Sequence, residues 1–190
     1  METEEITVRE HILQTATHLF HEQGYNLTGI NQIIEEAGVA KASLYYHFPS
    51  KEDLCVAYLH RRNNLWFAGL ESYLNGTEDP KQRIIKTFDY RAIHMKKNNF
   101  GGCSHIRIIS EMPQRGDKIN EAVKLQKEKH RKFFSKLTEG VASDKKRAAE
   151  LAETIFLLFD GATMQCQVYR ATAPLQSAKR AVIGLLKERG

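Results

Sequence analysis

Signals that start and stop helices recur along the whole chain and constrain its fold more than any other feature. Thr7 and Glu10 have the spacing of a capping box, in which a hydroxyl and a carboxylate bond free N–H groups at a helix start. Asp79-Pro80 is a second type of start, because proline lacks the N–H that the first helical turn leaves unpaired. Gly24 suits a helix end, since glycine readily adopts the left-handed conformation.

These signals divide the chain into about nine predicted helices. The helices are expected behind Thr7, from Thr28, from Lys41, over Ser50–Leu74, from Asp79 to about Asn98, near Ser104–Met112 before Pro113, from Asp117 to about Thr138, from Ser143 to about Arg170, and after Pro174 to Glu188. No segment combines two-residue alternation of apolar side chains with enrichment in β-branched residues. The sequence therefore predicts an all-α fold.

The composition favours a soluble, cytoplasmic protein without metal or cofactor. The 190 residues are 42% hydrophobic, residues 1–20 contain four glutamates and no apolar stretch, and the run Ile155–Phe159 is far too short to span a membrane. Cys55, Cys103 and Cys166 are odd in number and widely spaced, so neither a disulfide framework nor a zinc site is expected. The chain also lacks G-x-S-x-G, G-x-G-x-x-G and H-E-x-x-H, so we expect no catalytic residues and no enzyme.

The net charge of +5 is unevenly distributed along the chain. Residues 1–60 carry three basic and nine acidic side chains, whereas residues 61–190 carry a net charge of +11. Overall basicity therefore gives no support to nucleic-acid binding by the N-terminal part, which must rest on the placement of particular groups.

Residues 28–48 predict two short helices joined by a tight turn. Ile30, Ile33 and Ala37 have the spacing of one buried helix face, behind Thr28 at the N-cap position. Gly38 supplies the turn. Two helices joined in this way are the arrangement of a helix-turn-helix, whose second helix enters the major groove of DNA.

The second helix of this pair has an apolar side and a polar, aromatic side. Leu44 and Phe48 are expected to point into the core, which leaves the opposite side free for DNA. We expect Lys41 to contact a guanine edge and Ala42 a thymine methyl group. Hydroxyls and helix N-termini would hold the phosphates on either side. The alternative is that the tyrosines and histidine of this helix are half-buried packing residues.

The segment GYNLTGINQIIEEAGVAKASLYYHFPSKEDL, Gly24–Leu54, resembles the N-terminal signature of TetR-type transcriptional repressors. The resemblance implies DNA contacts at Thr28, Lys41, Ala42, Ser43, Tyr45, Tyr46, His47 and Lys51, with Tyr46 and Lys51 as phosphate clamps. The sequence departs from the usual pattern at Ile34, where the family usually has alanine, and at Ala42, where it often has glycine. The second departure bears on base preference.

A single helix-turn-helix reads too few base pairs to be selective, so we expect a homodimer that binds two half-sites of a palindromic operator. Residues 1–50 would form the DNA-binding domain and residues 51–190 a ligand-binding and dimerisation domain. The last two helices are rich in apolar and small residues, and their sequence resembles the paired dimer helices of TetR-like proteins. The expected interface residues are Leu151, Ile155, Leu158, Ala162, Ala178, Ala181 and Leu185.

The middle of the chain is rich in aromatic residues, which predicts a mostly apolar pocket for a small effector. The expected ligand-binding residues are Trp66, Phe88, Arg91, Cys103, His105, Phe156 and Asp160. An apolar or amphipathic effector would release the operator by tilting the helix Ser50–Leu74, roughly 37 Å long, which joins the two domains.

Two alternatives remain at this point. Cys103 follows Gly101-Gly102 near a helix start, with His105 and Arg107 close by, and such surroundings favour a reactive thiolate. The chain is then a redox- or electrophile-sensing regulator acting through Cys103. The other alternative is a helical adaptor that binds protein through its adjacent tyrosines. Salt-dependent binding to duplex DNA separates the adaptor from a regulator.

Overall fold

The computed structural model describes residues 7–112 and 117–187, and within these ranges it contains nine α-helices and no strand. The helices are α1 (Val8–Glu22), α2 (Ile30–Ala37), α3 (Lys41–His47), α4 (Lys51–Leu74), α5 (Pro80–Lys97), α6 (Ser104–Glu111), α7 (Asp117–Thr138), α8 (Lys145–Tyr169) and α9 (Ala173–Lys187). The all-α prediction is confirmed. The predicted helix-ending roles of Pro113 and Glu188 lie outside the described residues.

Several predicted helix starts are confirmed by their hydrogen bonds. The Thr7 hydroxyl accepts the Glu10 N–H at 3.2 Å at the start of α1. The Asp79 carboxylate accepts the N–H groups of Lys81 and Gln82, in front of Pro80 in the first turn of α5. Local sequence therefore fixes where these helices begin.

Two predicted starts are corrected. The N-cap of α2 is Gly29 rather than Thr28, whose hydroxyl instead donates to the Gly24 carbonyl at 2.6 Å. Helix α8 begins at Lys145 behind Asp144, and not at Ser143, because the Asp144 carboxylate accepts the Arg147 N–H at 2.9 Å.

The chain forms two compact units. The first unit comprises Met1–Asn64 and Ser104–Lys124, and the second comprises Leu65–Cys103 and Leu125–Gly190. Helices α4 and α7 each contribute residues to both units. The predicted division of function at residue 50 stays a prediction, because the units are defined by packing alone.

The core of the first unit joins the N-terminal helices to residues that are distant in sequence. Phe20, Leu44 and Tyr58 pack in one cluster with Ile108 of α6 and Ile119 of α7, and all five side chains are buried. Helix α6 and the start of α7 are therefore part of the structure that supports α1–α3.

The core of the second unit is aromatic. The Phe159 ring of α8 lies 5.4 Å from the Phe88 ring of α5 and 5.5 Å from the Phe134 ring of α7, both in edge-to-face geometry. Such geometry is favourable for aromatic pairs and fixes the spacing of the three helices. In the described ranges, no helix is both long and apolar enough to cross a bilayer.

His130 of α7 is buried in this aromatic core with 6% of its surface exposed. Its ring centroid lies 4.5 Å from that of Trp66, and its Nδ1 lies 2.9 Å from the Gln126 carbonyl oxygen. Burial lowers the pKa of His130 to about 3, and the positive charges of Arg91 and Lys127 act in the same direction. The folded chain therefore keeps this imidazole neutral.

His130 should make stability depend on pH. Its folded-state pKa lies below the unfolded value of about 6.5, so the unfolded chain binds the extra proton. The stability that depends on neutral His130 is complete above about pH 6.5 and is lost as the pH falls toward 3. Between pH 7 and pH 5 the free energy of unfolding should fall by roughly 2 kcal/mol more in the wild type than in His130→Phe, measured by urea titration.

Phe134→Leu, which alters the same buried aromatic core without removing a titratable group, serves as the control and should leave the pH dependence unchanged. An identical pH dependence in the wild type and His130→Phe would show that His130 does not cause the fall in stability at low pH.

Candidate nucleic-acid interface

The turn between α2 and α3 depends on Gly38. Its φ of 60° lies in the left-handed region, which glycine adopts without the strain caused by a Cβ. The Gly38 N–H donates to the Glu35 carbonyl at 3.1 Å, and the Val39 N–H donates to the Ile34 carbonyl at 3.2 Å. These bonds end α2 and direct the chain into α3.

Two inward side chains set the orientation of α3. Leu44 is fully buried and Phe48, just beyond the helix, is 2% exposed, as predicted. The Arg9 guanidinium of α1 lies 4.9 Å from the Phe48 ring centroid and covers it. The opposite side of α3 consequently faces solvent.

The outward side of α3 carries most of the residues predicted to contact DNA. Tyr46 is 83% exposed, Tyr45 is 41% exposed, and Lys41 and Ala42 are also exposed. The other two, Ser43 and His47, are half-buried. The alternative that these side chains are packing residues therefore fails for Tyr46, whose ring centroid lies 5.0 Å from that of its neighbour His47 in edge-to-face geometry.

Lys51 occupies the first position of α4, beside Tyr25. Its Nζ lies 4.1 Å from the Tyr25 ring centroid, a cation–π contact that holds the long side chain in place. Partial burial lowers the pKa of Lys51. The Asp53 carboxylate of the same turn accepts the Ser50 hydroxyl and the Lys118 ammonium, each at 2.7 Å.

Thr28 differs from the other predicted contact residues because it is fully buried. Its hydroxyl donates to the Gly24 carbonyl and accepts from the Gln23 amide at 3.2 Å. A phosphate contact by this hydroxyl would require breaking the bond to Gly24.

Leu27, the residue before Thr28, is 78% exposed. The sequence analysis did not select Leu27, because its apolar side chain suggested no contact with DNA.

Glu111, the last residue of α6, binds the turn between α1 and α2. Its Oε2 accepts the N–H groups of Tyr25 at 2.6 Å and Asn26 at 3.1 Å, and the Asn26 amide donates to the Glu111 carbonyl at 2.6 Å. Arg107, one turn earlier, donates to Glu111 Oε1 at 2.9 Å and to the His21 carbonyl at 2.6 Å. We call this set of bonds the Glu111 clasp.

Gly24 is required by the Glu111 clasp for two reasons. Its φ of 94° lies in the left-handed region, and a Cβ at this position would lie 2.6 Å from Glu111 Oε1. Sequence reasoning identified Gly24 as a helix end but missed Glu111, because no local pattern connects residues so far apart in the chain.

The predicted ligand-binding residues do not all lie together. Trp66, Phe88 and Arg91 approach the same Phe159 ring in the second unit, at 6.1, 5.4 and 5.9 Å. Phe156 is buried in the same core, and Asp160 pairs with Lys127 at 2.5 Å. His105 is buried in the first unit instead.

The three cysteines occupy different environments. Burial raises the pKa of Cys55 to about 12 and also raises the pKa of Cys166. Cys103 is half-buried and directly precedes α6. Its reactivity stays a prediction.

The predicted dimer residues lie at different depths in the second unit. Leu151, Ile155, Ala162 and Ala178 are buried in its core, Leu158 and Leu185 are half-buried, and Ala181 is exposed. Sequence reasoning missed the exposed apolar residues of α8, which are Leu157, Met164, Val168 and Tyr169 at 57%, 46%, 71% and 69% exposure. Periodicity could not separate the two faces, because α8 is apolar on both.

Comparison with known protein families gives two matches that together cover most of the chain. The family described as "Bacterial regulatory proteins, tetR family" matches residues 12–58. The family described as "Transcriptional regulator LmrA/YxaF-like, C-terminal domain" matches residues 80–181, more than half of the 190 residues.

Individual relatives match over nearly the whole length. The HTH-type transcriptional regulator LmrA of Bacillus subtilis is 25% identical over 181 residues, which cover 94% of this chain and 96% of LmrA. The HTH-type transcriptional repressor NemR of Escherichia coli is 22% identical over 180 residues, covering 90% and 89%. A crystal structure of a TetR-family transcriptional regulator from Streptomyces coelicolor has the same fold, with a TM-score of 0.83 at 23% identity, covering 95% and 94%.

Removing the charge of the Glu111 clasp should destabilise the first unit. Glu111→Gln removes the negative charge that faces two backbone N–H groups and replaces the oxygen that accepts from Arg107 with an NH2 group. The free energy of unfolding should fall by about 1–3 kcal/mol in urea titration at pH 7.

Glu121→Gln makes the same chemical change at an exposed position of α7 within the same unit and is the matched control. Equal stabilities of these two variants would show that the clasp carries no net free energy.

Proposed function

Because the chain belongs to the TetR family of bacterial transcriptional regulators, we propose that it is a homodimeric repressor that binds a palindromic operator and is released by a small apolar or amphipathic effector. Membership of the family makes it a DNA-binding regulator and not an enzyme. The observation that carries the finer proposal is the solvent-facing side of α3, opposite the buried Leu44 and Phe48.

The proposed interface reads bases with one side of α3 and holds phosphates from its edges. Lys41 and Ala42 lie at the start of α3 and contact base edges, while Tyr46 and Lys51 donate to phosphate oxygens. Ser43, Tyr45 and His47 complete the contact surface. Thr28 supports it from within by holding the chain before α2. Because residues 1–60 carry more acidic than basic side chains, affinity depends on these few groups.

The proposed dimer forms through the exposed face of α8 and α9. Leu157, Gly161, Met164 and Val168 are exposed and recur at helical spacing along one side of α8. The small residues Ala181 and Gly184 are exposed on α9 and permit close approach of a second copy. The buried residues of the predicted interface, which are Leu151, Ile155, Ala162 and Ala178, would pack beneath this face and hold α8 and α9 in position.

The proposed effector site lies in the aromatic core of the second unit, near Phe159. Helices α4 and α7 belong to both units, so an effector that changes their course also affects the unit that binds DNA. Release requires that the effector prefer the conformation that does not fit the operator.

Substitutions on α3 should weaken operator binding. Tyr46→Phe removes one phosphate donor and should reduce affinity several-fold on every sequence, whereas Lys41→Ala should reduce affinity about tenfold and relax base preference at one position. Tyr73→Phe, the same chemical change in the second unit, is the control. Fluorescence anisotropy with the DNA upstream of the protein's own coding region, at several salt concentrations, measures both effects.

The salt dependence of the wild type distinguishes a regulator from a protein-binding adaptor. Affinity for DNA should fall steeply as salt increases, since phosphate contacts release counterions. Failure to bind any palindromic fragment from the upstream region would refute the operator proposal.

Charges on the exposed face of α8 should separate the dimer. Val168→Asp and Leu157→Glu each place a carboxylate on a surface that dimerisation would bury, which is unfavourable without a partner. Sedimentation velocity should show monomers for both variants and dimers for the wild type. Ile93→Glu on α5, where the parent residue is 52% exposed, is the control and should remain dimeric. Dimers of unchanged stability in the α8 variants would place the interface elsewhere.

A further inference from the structure

The Lys51 side chain is held in one position by an aromatic ring. Its Nζ lies 4.1 Å from the centroid of the Tyr25 ring, and Lys51 is half-buried at the start of α4. A lysine stem is flexible, so a free lysine loses conformational entropy when it binds a phosphate. The contact with Tyr25 orders the stem before any ligand binds.

Tyr25 is itself fixed at its ring and at its backbone. The ring is buried, and its centroid lies 5.4 Å from that of the Phe20 ring. The Tyr25 N–H donates to Glu111 Oε2 at 2.6 Å, and the Asn26 N–H donates to the same oxygen at 3.1 Å. The Glu111 clasp therefore fixes the backbone that carries the ring, and the core fixes the direction of the ring.

The surroundings of Lys51 leave its ammonium group able to bind an anion. Burial lowers the pKa of Lys51, while Cys55 and Glu111 act in the opposite direction. Asp53, two residues later in α4, accepts the Lys118 ammonium at 2.7 Å, which compensates the charge of this carboxylate. A ring face attracts a cation without accepting a conventional hydrogen bond, so N–H donors of Lys51 remain for a phosphate oxygen.

We infer that Tyr25 and Glu111 are positioning residues for DNA binding: Glu111 holds the Tyr25 backbone, and the Tyr25 ring holds the Lys51 ammonium where it meets a phosphate. The inference rests on the proposed function, in which Lys51 is a phosphate clamp. All three residues belong to the first unit. Tyr25 and Glu111 increase affinity by ordering Lys51 in advance, because an ordered side chain loses less entropy on binding.

A double-mutant cycle tests whether Tyr25 acts through Lys51. Affinity is measured by fluorescence anisotropy with two labelled duplexes, the DNA upstream of the protein's own coding region and a duplex of mixed sequence, since phosphate contacts do not depend on sequence. Tyr25→Leu should weaken the binding of both duplexes by about three- to tenfold. In the Lys51→Met background, the same substitution should cause little further loss, because the side chain that it positions is absent.

The salt dependence of binding separates positioning from damage to the whole surface. Lys51→Met removes a phosphate contact and should reduce the salt slope by about one for each protomer. Tyr25→Leu should leave the slope close to that of the wild type, because a loosened Lys51 still neutralises its phosphate once the complex has formed. A general disruption of the interface would instead reduce the affinity and the slope together.

Three further variants serve as controls. Tyr25→Phe keeps the ring and should restore wild-type affinity. Tyr58→Leu makes the same change as Tyr25→Leu in the same core, beside Phe20 at 5.5 Å, and any loss it causes should add to that of Lys51→Met. Glu111→Gln loosens the Tyr25 backbone, and its loss of affinity should also disappear in the Lys51→Met background.

A measurement on the free protein covers the case in which Tyr25→Leu does not fold. The ring current of Tyr25 should shift the Lys51 side-chain methylene protons upfield, in resonances assigned by their absence from Lys51→Met. Tyr25→Phe should keep this shift. Its absence from the wild type would overturn the inference, and the cycle of Glu111→Gln with Lys51→Met tests the effect on DNA.

The outcomes of the cycle separate the inference from the proposed function. Losses that add in full for Tyr25→Leu and Lys51→Met would overturn the inference, and so would equal losses for Tyr25→Phe and Tyr25→Leu, which would mean that the hydroxyl binds DNA. If the mixed duplex shows the coupling but no upstream fragment is preferred, the inference stands and the operator proposal fails. If the upstream DNA binds tightly and Lys51→Met changes neither affinity nor slope, the inference fails and the repressor proposal stands.

Discussion

The burial of Leu44 and Phe48 is the interaction on which the proposed DNA-reading surface of α3 depends. Helix α3 has only seven residues, too few to be stable by itself, so its position is set by what it packs against. Leu44 joins the core of the first unit, and Phe48 is covered by Arg9. Tyr46 is exposed because the helix has no freedom to turn around these two anchors. The reading surface is thus a consequence of packing on the opposite side.

The Glu111 clasp acts mainly on the backbone of the turn between α1 and α2. Glu111 accepts two backbone N–H groups, and Arg107 donates to a backbone carbonyl. Contacts with the backbone fix the path of the chain between α1 and α2. Three residues of the turn are constrained as well: Gly24, where a Cβ would meet Glu111, Tyr25, which is buried in the core, and Asn26, whose side-chain amide donates to the Glu111 carbonyl.

The sequence predicts those parts of the structure that local chemistry determines. The starts of α5 at Asp79-Pro80 and of α7 at Asp117 follow from residues within one turn of each other. The predicted N-cap of α2, Thr28, was wrong because its hydroxyl instead donates to the Gly24 carbonyl four residues earlier. The Glu111 clasp joins positions more than eighty residues apart, for which periodicity holds no information. Likewise, the sequence shows that Ile155 is apolar, but the packing of α5 and α9 against α8 decides that Ile155 is buried in the core.

The division of the first unit between two stretches of chain limits how this protein can be shortened or recombined. A fragment ending at Asn64 would lose Ile108, Ile119 and Glu111 together, which would uncover apolar core and release the loop after α1. Transplanting the proposed DNA-reading unit onto a foreign sensor would therefore require carrying residues 104–124 with it. Because the first unit consists of two separate stretches of chain, no single cut in the sequence separates it from the second unit.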